Sequence, residues 1–65
     1  MDYEEFWVRV VNTTDNAALL EFQDYDDEQI WIPFSQMEDN GEDIEEDAEI
    51  RVYLTQWIAE KKGLI

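Results

Sequence analysis

Net charge is the feature that most constrains how this 65-residue chain can fold. The sequence has 18 Asp and Glu against four Lys and Arg and no His, for a formal charge of −14 at pH 7. That is far beyond the magnitude of roughly 2–8 that suffices for the solubility of a small domain. Like charges on so small a body repel one another and oppose compaction. A chain that folds under this repulsion needs a strong apolar core, and its charge favours a cationic partner.

The aromatic and aliphatic content supports a folded domain despite this charge. Three Trp, three Phe and three Tyr accompany a good supply of Ile, Val and Leu, and large aromatic side chains dominate the energetics of cores. A chain of this length forms one domain and is marginally stable without a staple. No Cys is present to form a disulfide. We predict one acidic domain over residues 1–65, with a mobile acidic loop inside it.

Several features predict an intracellular, cytoplasmic protein. The lack of Cys suits a reducing compartment. No apolar run approaches the roughly 18 residues of a membrane span. The first residues, Met1-Asp2-Tyr3-Glu4-Glu5, are acidic where a signal peptide is basic. We also expect a monomer.

Alternating apolar residues predict four strands, at residues 5–11, 17–23, 28–32 and 48–54. These segments are rich in β-branched and aromatic types. The first three are joined by short polar turns, which is typical of an antiparallel meander. Pro33 lacks an N–H and should end the third strand. The pattern predicts an α+β fold, with a three- to four-stranded antiparallel sheet, a short C-terminal helix and a long acidic loop.

The C-terminal helix is predicted at residues 56–62. Thr55 is a suitable N-cap, and Gly63 is a suitable residue just after the helix. Trp57 and Ile58 fall on the face that would pack on the sheet. Because so short a helix is unstable alone, we expect the docking of Trp57 to hold it in place.

A single helical turn is predicted at residues 35–38. Ser35 is the candidate N-cap, and Glu38 would reach back to it as in a capping box. Asn40-Gly41 is a turn signal a little further along the chain.

The residue types that most enzymes need are missing. The chain has no His and no Cys, and Ser35 is its only serine, which excludes Ser-His-Asp and Cys-His systems and ordinary zinc sites. Its only glycines, Gly41 and Gly63, cannot form a glycine-rich phosphate loop. A domain this small is expected to offer no cleft of about 300 Å³ or more. We therefore predict no enzymatic activity and no cofactor.

Calcium binding by an EF-hand loop is also not predicted. Such a loop requires Gly at its sixth position and Glu at its twelfth. A loop that starts at Asp24 has Gln29 at the sixth position, and one with Gly41 at that position starts at Gln36. Neither frame fits, so we predict no metal site.

Two groups of carboxylates form the candidate partner-binding surface. B-DNA presents one charge per roughly 3.4 Å along each strand, and same-face residues of a β-strand recur about every 6.8 Å. Carboxylates at alternate strand positions, or fixed in a loop beside a sheet edge, therefore match every second phosphate. The first group comprises Asp24, Asp26, Asp27 and Glu28, and the second comprises Glu38, Asp39, Glu42, Asp43, Glu45, Glu46, Asp47 and Glu49. The two groups form one surface if the connection between the second and third strands, which carries the first group, lies near the long loop.

A specific inhibitor should also carry an apolar anchor, because charge alone is promiscuous. The available aromatic residues are Trp7, Tyr25, Trp31 and Tyr53. Trp31 lies opposite in the pleat to its two isoleucine neighbours, so it faces outward if those face the core. A core position for Trp31 is the equally open alternative.

Two stretches resemble motifs of small phage and prophage proteins. They are Ile30-Trp31-Ile32-Pro33-Phe34-Ser35-Gln36 and Trp57-Ile58-Ala59-Glu60-Lys61-Lys62-Gly63-Leu64-Ile65. In those proteins an extended Ile-Pro-x-Ser-Gln stretch precedes a terminal helix that ends in Lys-Gly-Leu. Here Phe34 stands where a Lys is expected, and the acidic insertion is heavier than usual.

A tiny acidic phage protein is also similar to the anti-CRISPR inhibitors that imitate DNA. The resemblance implies a phage- or prophage-encoded protein that acts in the bacterial host cytoplasm on a CRISPR effector. A type I Cascade is the suspected target, at the basic surface that reads the PAM or the target duplex.

The sequence thus leads to an acidic DNA mimic that blocks the nucleic-acid-binding surface of a host complex, without binding nucleic acid or a membrane itself. The main alternative is a phage accessory or assembly protein that binds another protein through a sheet edge or an exposed Trp31, with acidity serving solubility. An antitoxin-like partner of a basic toxin is a third possibility that charge does not separate from the first.

Overall fold

Four strands and one helix form the secondary structure, as the computed structural model shows for residues 2–42 and 44–65. Asp43, one of the predicted partner-binding residues, lies outside the described residues. The strands are β1 (Tyr3–Thr13), β2 (Ala17–Phe22), β3 (Glu28–Pro33) and β4 (Glu49–Thr55), and the helix is α1 (Gln56–Lys61). Two 3-10 turns, Phe34–Gln36 and Glu38–Gly41, lie between β3 and β4. The predicted α+β class is confirmed.

β1 is the central long strand of one antiparallel sheet, in which the strand order is β3-β2-β1-β4. The first three strands form the predicted meander, and β4 pairs with the other side of β1. β1 extends two residues beyond its predicted limits at each end. Val8 lies opposite Phe22 of β2 and Ile50 of β4, so apolar residues of three strands meet on one face. Pro33 is the last residue of β3, where its missing N–H is tolerated because the strand lies at the sheet edge.

A bulge in β1 shifts the pairing register with β2 between Val10 and Asn12. Bulges bend a strand and increase its twist. The chain that follows β3 returns to the opposite edge of the sheet, where Met37 forms an isolated antiparallel bridge with Leu54 of β4. The sheet therefore curls around its apolar face, with a 3-10 turn on each side of this bridge.

The core consists of apolar side chains from the inner face of all four strands, together with Met37 and three residues of the C-terminal segment. Phe6 and Phe22 pack edge to face with ring centroids 5.6 Å apart, and Tyr25 packs on both. The Tyr25 hydroxyl donates a hydrogen bond to the Leu64 carbonyl (2.7 Å). This bond ties the β2–β3 turn to the end of the chain.

The helix α1 begins and ends as its sequence predicts. The Thr55 Oγ1 accepts the Ile58 N–H (3.2 Å) and donates to the Gln36 Oε1 (2.7 Å), so the N-cap also fixes the helix to the first 3-10 turn. At the other end, the N–H groups of Gly63 and Leu64 bond to carbonyls of the last turn, as in a Schellman motif.

The prediction that Trp57 docks the helix is wrong, because its side chain is 57% exposed. The helix that begins at the Thr55 cap instead turns the two residues after Trp57 inward, so Ile58 and Ala59 are buried. Leu64 is buried after the helix. Burial of an aliphatic side chain such as Ile58 or Leu64 contributes about 1.5–3 kcal/mol, which is enough to hold a helix of this length.

The predicted capping box is also wrong. The first 3-10 turn starts at Phe34 directly after Pro33, and no side chain caps it. Ser35 therefore lies inside the turn, while Glu38 starts a second turn after the extended residue Met37. The bridge between Met37 and Leu54 separates the two turns and keeps Ser35 and Glu38 apart.

The two glycines provide a stability prediction. Both have left-handed backbone, but a Cβ on Gly41 would lie 2.6 Å from the Phe34 ring, whereas one on Gly63 would meet nothing within 4 Å. We expect Gly63→Ala to lower the free energy of unfolding by about 1 kcal/mol, the backbone cost alone. Gly41→Ala should cost about 2–3 kcal/mol, because Phe34 must also shift. Urea unfolding followed by circular dichroism measures both, and equal losses would contradict the predicted clash at Gly41.

Candidate functional site

The predicted acidic residues face solvent wherever the structure describes them. Each member of both groups apart from Asp43 is exposed. Most lie in turns, since only Glu28 and Glu49 belong to strands. A ladder of carboxylates along one strand is therefore not the form that this surface takes. The other predicted form, carboxylates fixed in a loop beside a sheet edge, describes the second group.

The first acidic group lies in the tight turn between β2 and β3. Asp26 and Asp27 both have positive φ, 58° and 57°, and the Glu28 N–H bonds to the Tyr25 carbonyl (3.1 Å). Positive φ at both central positions is the type I′ pattern, which favours Asn-Gly. Two carboxylates thus occupy strained backbone positions, and the turn is held by Tyr25, which packs on the core.

The second acidic group follows the edge of β4. Glu38, Asp39 and Ile44 line an open concavity of about 230 Å³ together with Arg51 and Tyr53 of β4. Asp39 and Asn40 have left-handed backbone, with φ of 57° and 52°. The run thus begins beside the end of β4 and lies along it.

The last part of the run is fixed to β1. The Asp47 N–H bonds to the Val10 carbonyl (2.7 Å), and the Val10 N–H bonds to the Ala48 carbonyl (2.8 Å). The Thr13 hydroxyl donates to the Glu46 carboxylate (3.1 Å). These bonds hold the acidic run against the body of the sheet.

One hydrogen bond connects the neighbourhoods of the two groups. The Gln23 side chain donates to the Glu49 carboxylate (2.9 Å). Gln23 directly precedes Asp24, and Glu49 is the last carboxylate of the second group. The two groups therefore approach each other across β1, which lies between β2 and β4.

A polar network around Arg9 crosses the outer face of the sheet. The Arg9 Nε bonds to Glu21 at 3.2 Å, Gln29 donates to the same carboxylate at 3.1 Å, and the Arg9 Nη1 lies 3.9 Å from Asp47. The pKa of Glu21 is lowered mainly by the hydrogen bond from Arg9 and to a smaller extent by the one from Gln29. The same bond between Arg9 and Glu21 raises the pKa of Arg9. Since the pKa of Glu21 is lowered on folding, its stabilising contribution is present at neutral pH and is lost as pH falls through that lowered value.

Few of the predicted carboxylates are neutralised by the chain itself. Within residues 2–42 and 44–65 the ion pairs within 4.0 Å are Arg9–Glu21, Arg9–Asp47 and Arg51–Glu5. Asp47 is thus the one predicted member with a cation within 4.0 Å in the described part of the chain, and its side chain is 88% exposed. Glu49 lies opposite Arg9 in the β1–β4 pairing, and its charge also raises the pKa of Arg9. Within the described residues, the acidic surface therefore has little charge paired by the chain itself.

Aromatic side chains lie uncovered on the outer face of β1 and β4. Tyr3, Trp7 and Tyr53 are exposed, and the pairing places Trp7 opposite Arg51 and Glu5 opposite Tyr53. The alternation of β1 could have predicted that Trp7 faces outward, because Trp7 lies between the buried residues Phe6 and Val8. Trp7 and Tyr53 were among the candidate anchors, but the pleat argument favoured Trp31.

Trp31 faces outward, as its position opposite the two isoleucines predicted, and is 43% exposed. It lines an open groove of about 520 Å³, together with Pro33, Trp57, Lys61 and Lys62. The expectation of no cleft above about 300 Å³ is therefore wrong, because the edge of the sheet and α1 border a groove that composition does not reveal. Lys61 Nζ lies 5.0 Å from the centre of the Trp57 ring.

Neither metal binding nor membrane spanning is indicated by the described residues. Among them, no three or more Asp and Glu come together in an arrangement that could hold a metal ion. No helix in the described part of the chain is long and apolar enough to cross a membrane.

Comparison with protein-family models, with curated proteins and with solved structures finds no match for this chain.

The β2–β3 turn provides a stability prediction. Asp26→Asn combined with Asp27→Gly should raise the free energy of unfolding by about 1 kcal/mol, because Asn-Gly suits the left-handed backbone. The matched control, Asp24→Asn with Glu28→Gln, removes two charges from the same turn but leaves the backbone strain at Asp26 and Asp27 unchanged. Thermal unfolding measures both variants. Equal gains would mean that charge repulsion, and not backbone strain, limits stability at this turn.

Proposed function

We propose that this protein is an acidic DNA mimic that occupies the cationic nucleic-acid-binding surface of a host complex and thereby blocks its binding to DNA. The suspected target is a CRISPR effector, in the first instance a type I Cascade, so the protein would act as an anti-CRISPR in the host cytoplasm. The role is one of binding and not of catalysis. The chain competes for the site and does not itself bind nucleic acid.

The observation that carries this proposal is the exposed, uncompensated charge of both acidic groups. Every described member is exposed, and Asp47 is the one with an ion pair among the described residues. In a chain of net charge −14, such a surface attracts a cationic cleft over distances of about a Debye length, near 8 Å at physiological salt. Fast, salt-sensitive association with a DNA-binding surface follows from this field.

The placement of the charges supports the same proposal. Turn backbone and hydrogen bonds to β1 fix the second group beside a sheet edge, so its carboxylates are held in position before binding. A preorganised surface loses less conformational entropy when it binds. Asp at left-handed positions such as Asp26 and Asp27 adds backbone strain, which is typically retained where the residue serves a function.

A competition experiment tests the proposal directly. Purified type I Cascade with its guide RNA is mixed with labelled target duplex, and the protein is titrated at low and physiological salt. We expect displacement of the duplex, with an apparent affinity that falls by at least tenfold at the higher salt because paired charges are screened. Unchanged DNA binding at both salt concentrations would exclude this complex as the target.

Charge reversal then locates the binding surface. Changing Glu42, Glu45 and Glu46 to Lys should abolish displacement, because it places repulsive charges in the acidic run. The control variant changes Asp2, Asp15 and Glu60 to Lys, which alters the net charge equally at exposed positions outside both groups. It should lose only the small part of the affinity that depends on overall charge. Full activity of the first variant, with its fold intact by circular dichroism, would rule out the acidic run as the site.

A second candidate function rests on Trp31 and the edge strand β3. Trp31 is exposed beside the 520 Å³ groove, and an edge strand offers unpaired backbone groups to another protein. In this case the chain is a phage accessory or assembly protein, and its acidity serves solubility. Trp31→Ala would then abolish partner capture, while the charge-reversal variant would retain it.

A further inference from the structure

The outer face of β1 and β4 carries exposed aromatic rings beside carboxylates. Trp7 and Tyr53 stand on neighbouring strands, and Glu5 is paired directly with Tyr53. Because side chains at alternate positions of a strand share a face, Glu5 and Trp7 lie together on the outside. Both aromatic rings are exposed, Trp7 at 43% and Tyr53 at 38%.

The chain's own Arg51 shows which kind of side chain this face accommodates. Its guanidinium carbon lies 5.9 Å from the centre of the Trp7 ring, and its Nε lies 3.4 Å from the Glu5 carboxylate. An arginine side chain can stack on an aromatic ring and bond to a carboxylate at the same time, whereas a lysine ammonium lacks the planar surface. Trp7 and Glu5 together form such a site.

This face is continuous with the acidic run. Arg51 and Tyr53 line the same 230 Å³ concavity as Glu38 and Asp39. A cationic surface that contacts the acidic run is therefore brought against the aromatic face as well. The groove at Trp31 differs in charge, since its lining includes Lys61 and Lys62 and no carboxylate.

We propose that the outer face of β1 and β4 is the anchor of the partner-binding surface, and that it takes arginine side chains of the partner. A partner arginine replaces Arg51 between Trp7 and Glu5, while the carboxylates of the acidic run pair with neighbouring cations. This inference rests on the proposed function in one respect, namely that the partner is a cationic nucleic-acid-binding protein. It assigns the anchor to Trp7 and not to Trp31.

Oligo-arginine and oligo-lysine peptides of equal length test this inference without any assumption about the target. Isothermal titration calorimetry at fixed salt gives the affinity of each peptide for the intact protein. We expect oligo-arginine to bind roughly twofold more tightly, because both cations can contact the ring but only the planar guanidinium can stack on it and bond to the carboxylate at the same time. Equal affinities of the two peptides would overturn the proposal.

A pair of tryptophan variants locates the preference. Trp7→Ala should remove the difference between the two peptides, and Trp31→Ala should leave it unchanged. The two tryptophans are matched, since each stands on a strand and is 43% exposed, and circular dichroism verifies that both variants are folded. A preference that survives in Trp7→Ala, or that disappears in Trp31→Ala, would contradict the assignment.

A pair of cation variants tests the replacement of Arg51. Arg51→Ala should tighten oligo-arginine binding by roughly three- to fivefold, because the Trp7 ring and the Glu5 carboxylate become available. Lys62→Ala removes the same charge at the groove and should change the affinity less than twofold at physiological salt, where distant charges are screened. Equal effects of the two variants would mean that net charge alone is responsible.

The same variants separate this inference from the proposed function. If the protein does not affect the binding of Cascade to DNA but its preference for arginine depends on Trp7, Cascade is not the target, and the assignment of the anchor to Trp7 is supported. If the protein and its Trp7→Ala variant displace DNA equally well, the proposed DNA mimicry is supported, and the assignment of the anchor to Trp7 is wrong.

Discussion

The pairing of β1 with strands on both sides is the interaction on which the rest of this structure depends. β2 pairs with the second half of β1, and β4 pairs with the first half and the middle. Their inner side chains surround Phe6, Val8 and Val10. Because the acidic residues oppose compaction, the fold keeps its apolar side chains on one face of a curled sheet and its carboxylates outside it. The C-terminal segment then completes the core with Ile58 and Leu64.

Much of this architecture could be predicted because it depends on local patterns. Alternation identified all four strands to within two residues, and Thr55 and Gly63 marked the ends of the helix. The prediction failed where long-range contacts decide the outcome. Trp57 was expected in the core because it shares a helical stripe with Ile58, but the cap at Thr55, held by Gln36, fixes a rotation that turns Trp57 outward. The return of Met37 to Leu54 has no local signal, and it separates Ser35 from Glu38.

The candidate site was predictable in its charge but not in its shape. Runs of Asp and Glu are visible in any sequence, and their exposure follows from the cost of burying charge. Which aromatic ring adjoins them depends on which strands lie side by side. β4 is last in the sequence yet pairs with the first strand, and this brings Tyr53 and Arg51 next to Trp7. The pleat argument that identified Trp31 as outward-facing was correct, but it carried no information about the lysines near that residue.

The positions of the four cations distinguish the two exposed surfaces. Arg9 and Arg51 lie on the outer sheet face, where each pairs with a carboxylate, and Lys61 and Lys62 lie at the groove. A cationic partner is therefore attracted to the sheet face and the β4 edge, and it is repelled locally at the groove. Arg51 pairs with Glu5 and lies beside the exposed Trp7 ring in the free protein, so part of the charge of this face already has a partner before binding. In the proposed complex, a partner arginine would replace this contact with an equivalent one, and the specificity of the surface would come from the geometry of ring and carboxylate together and not from charge alone.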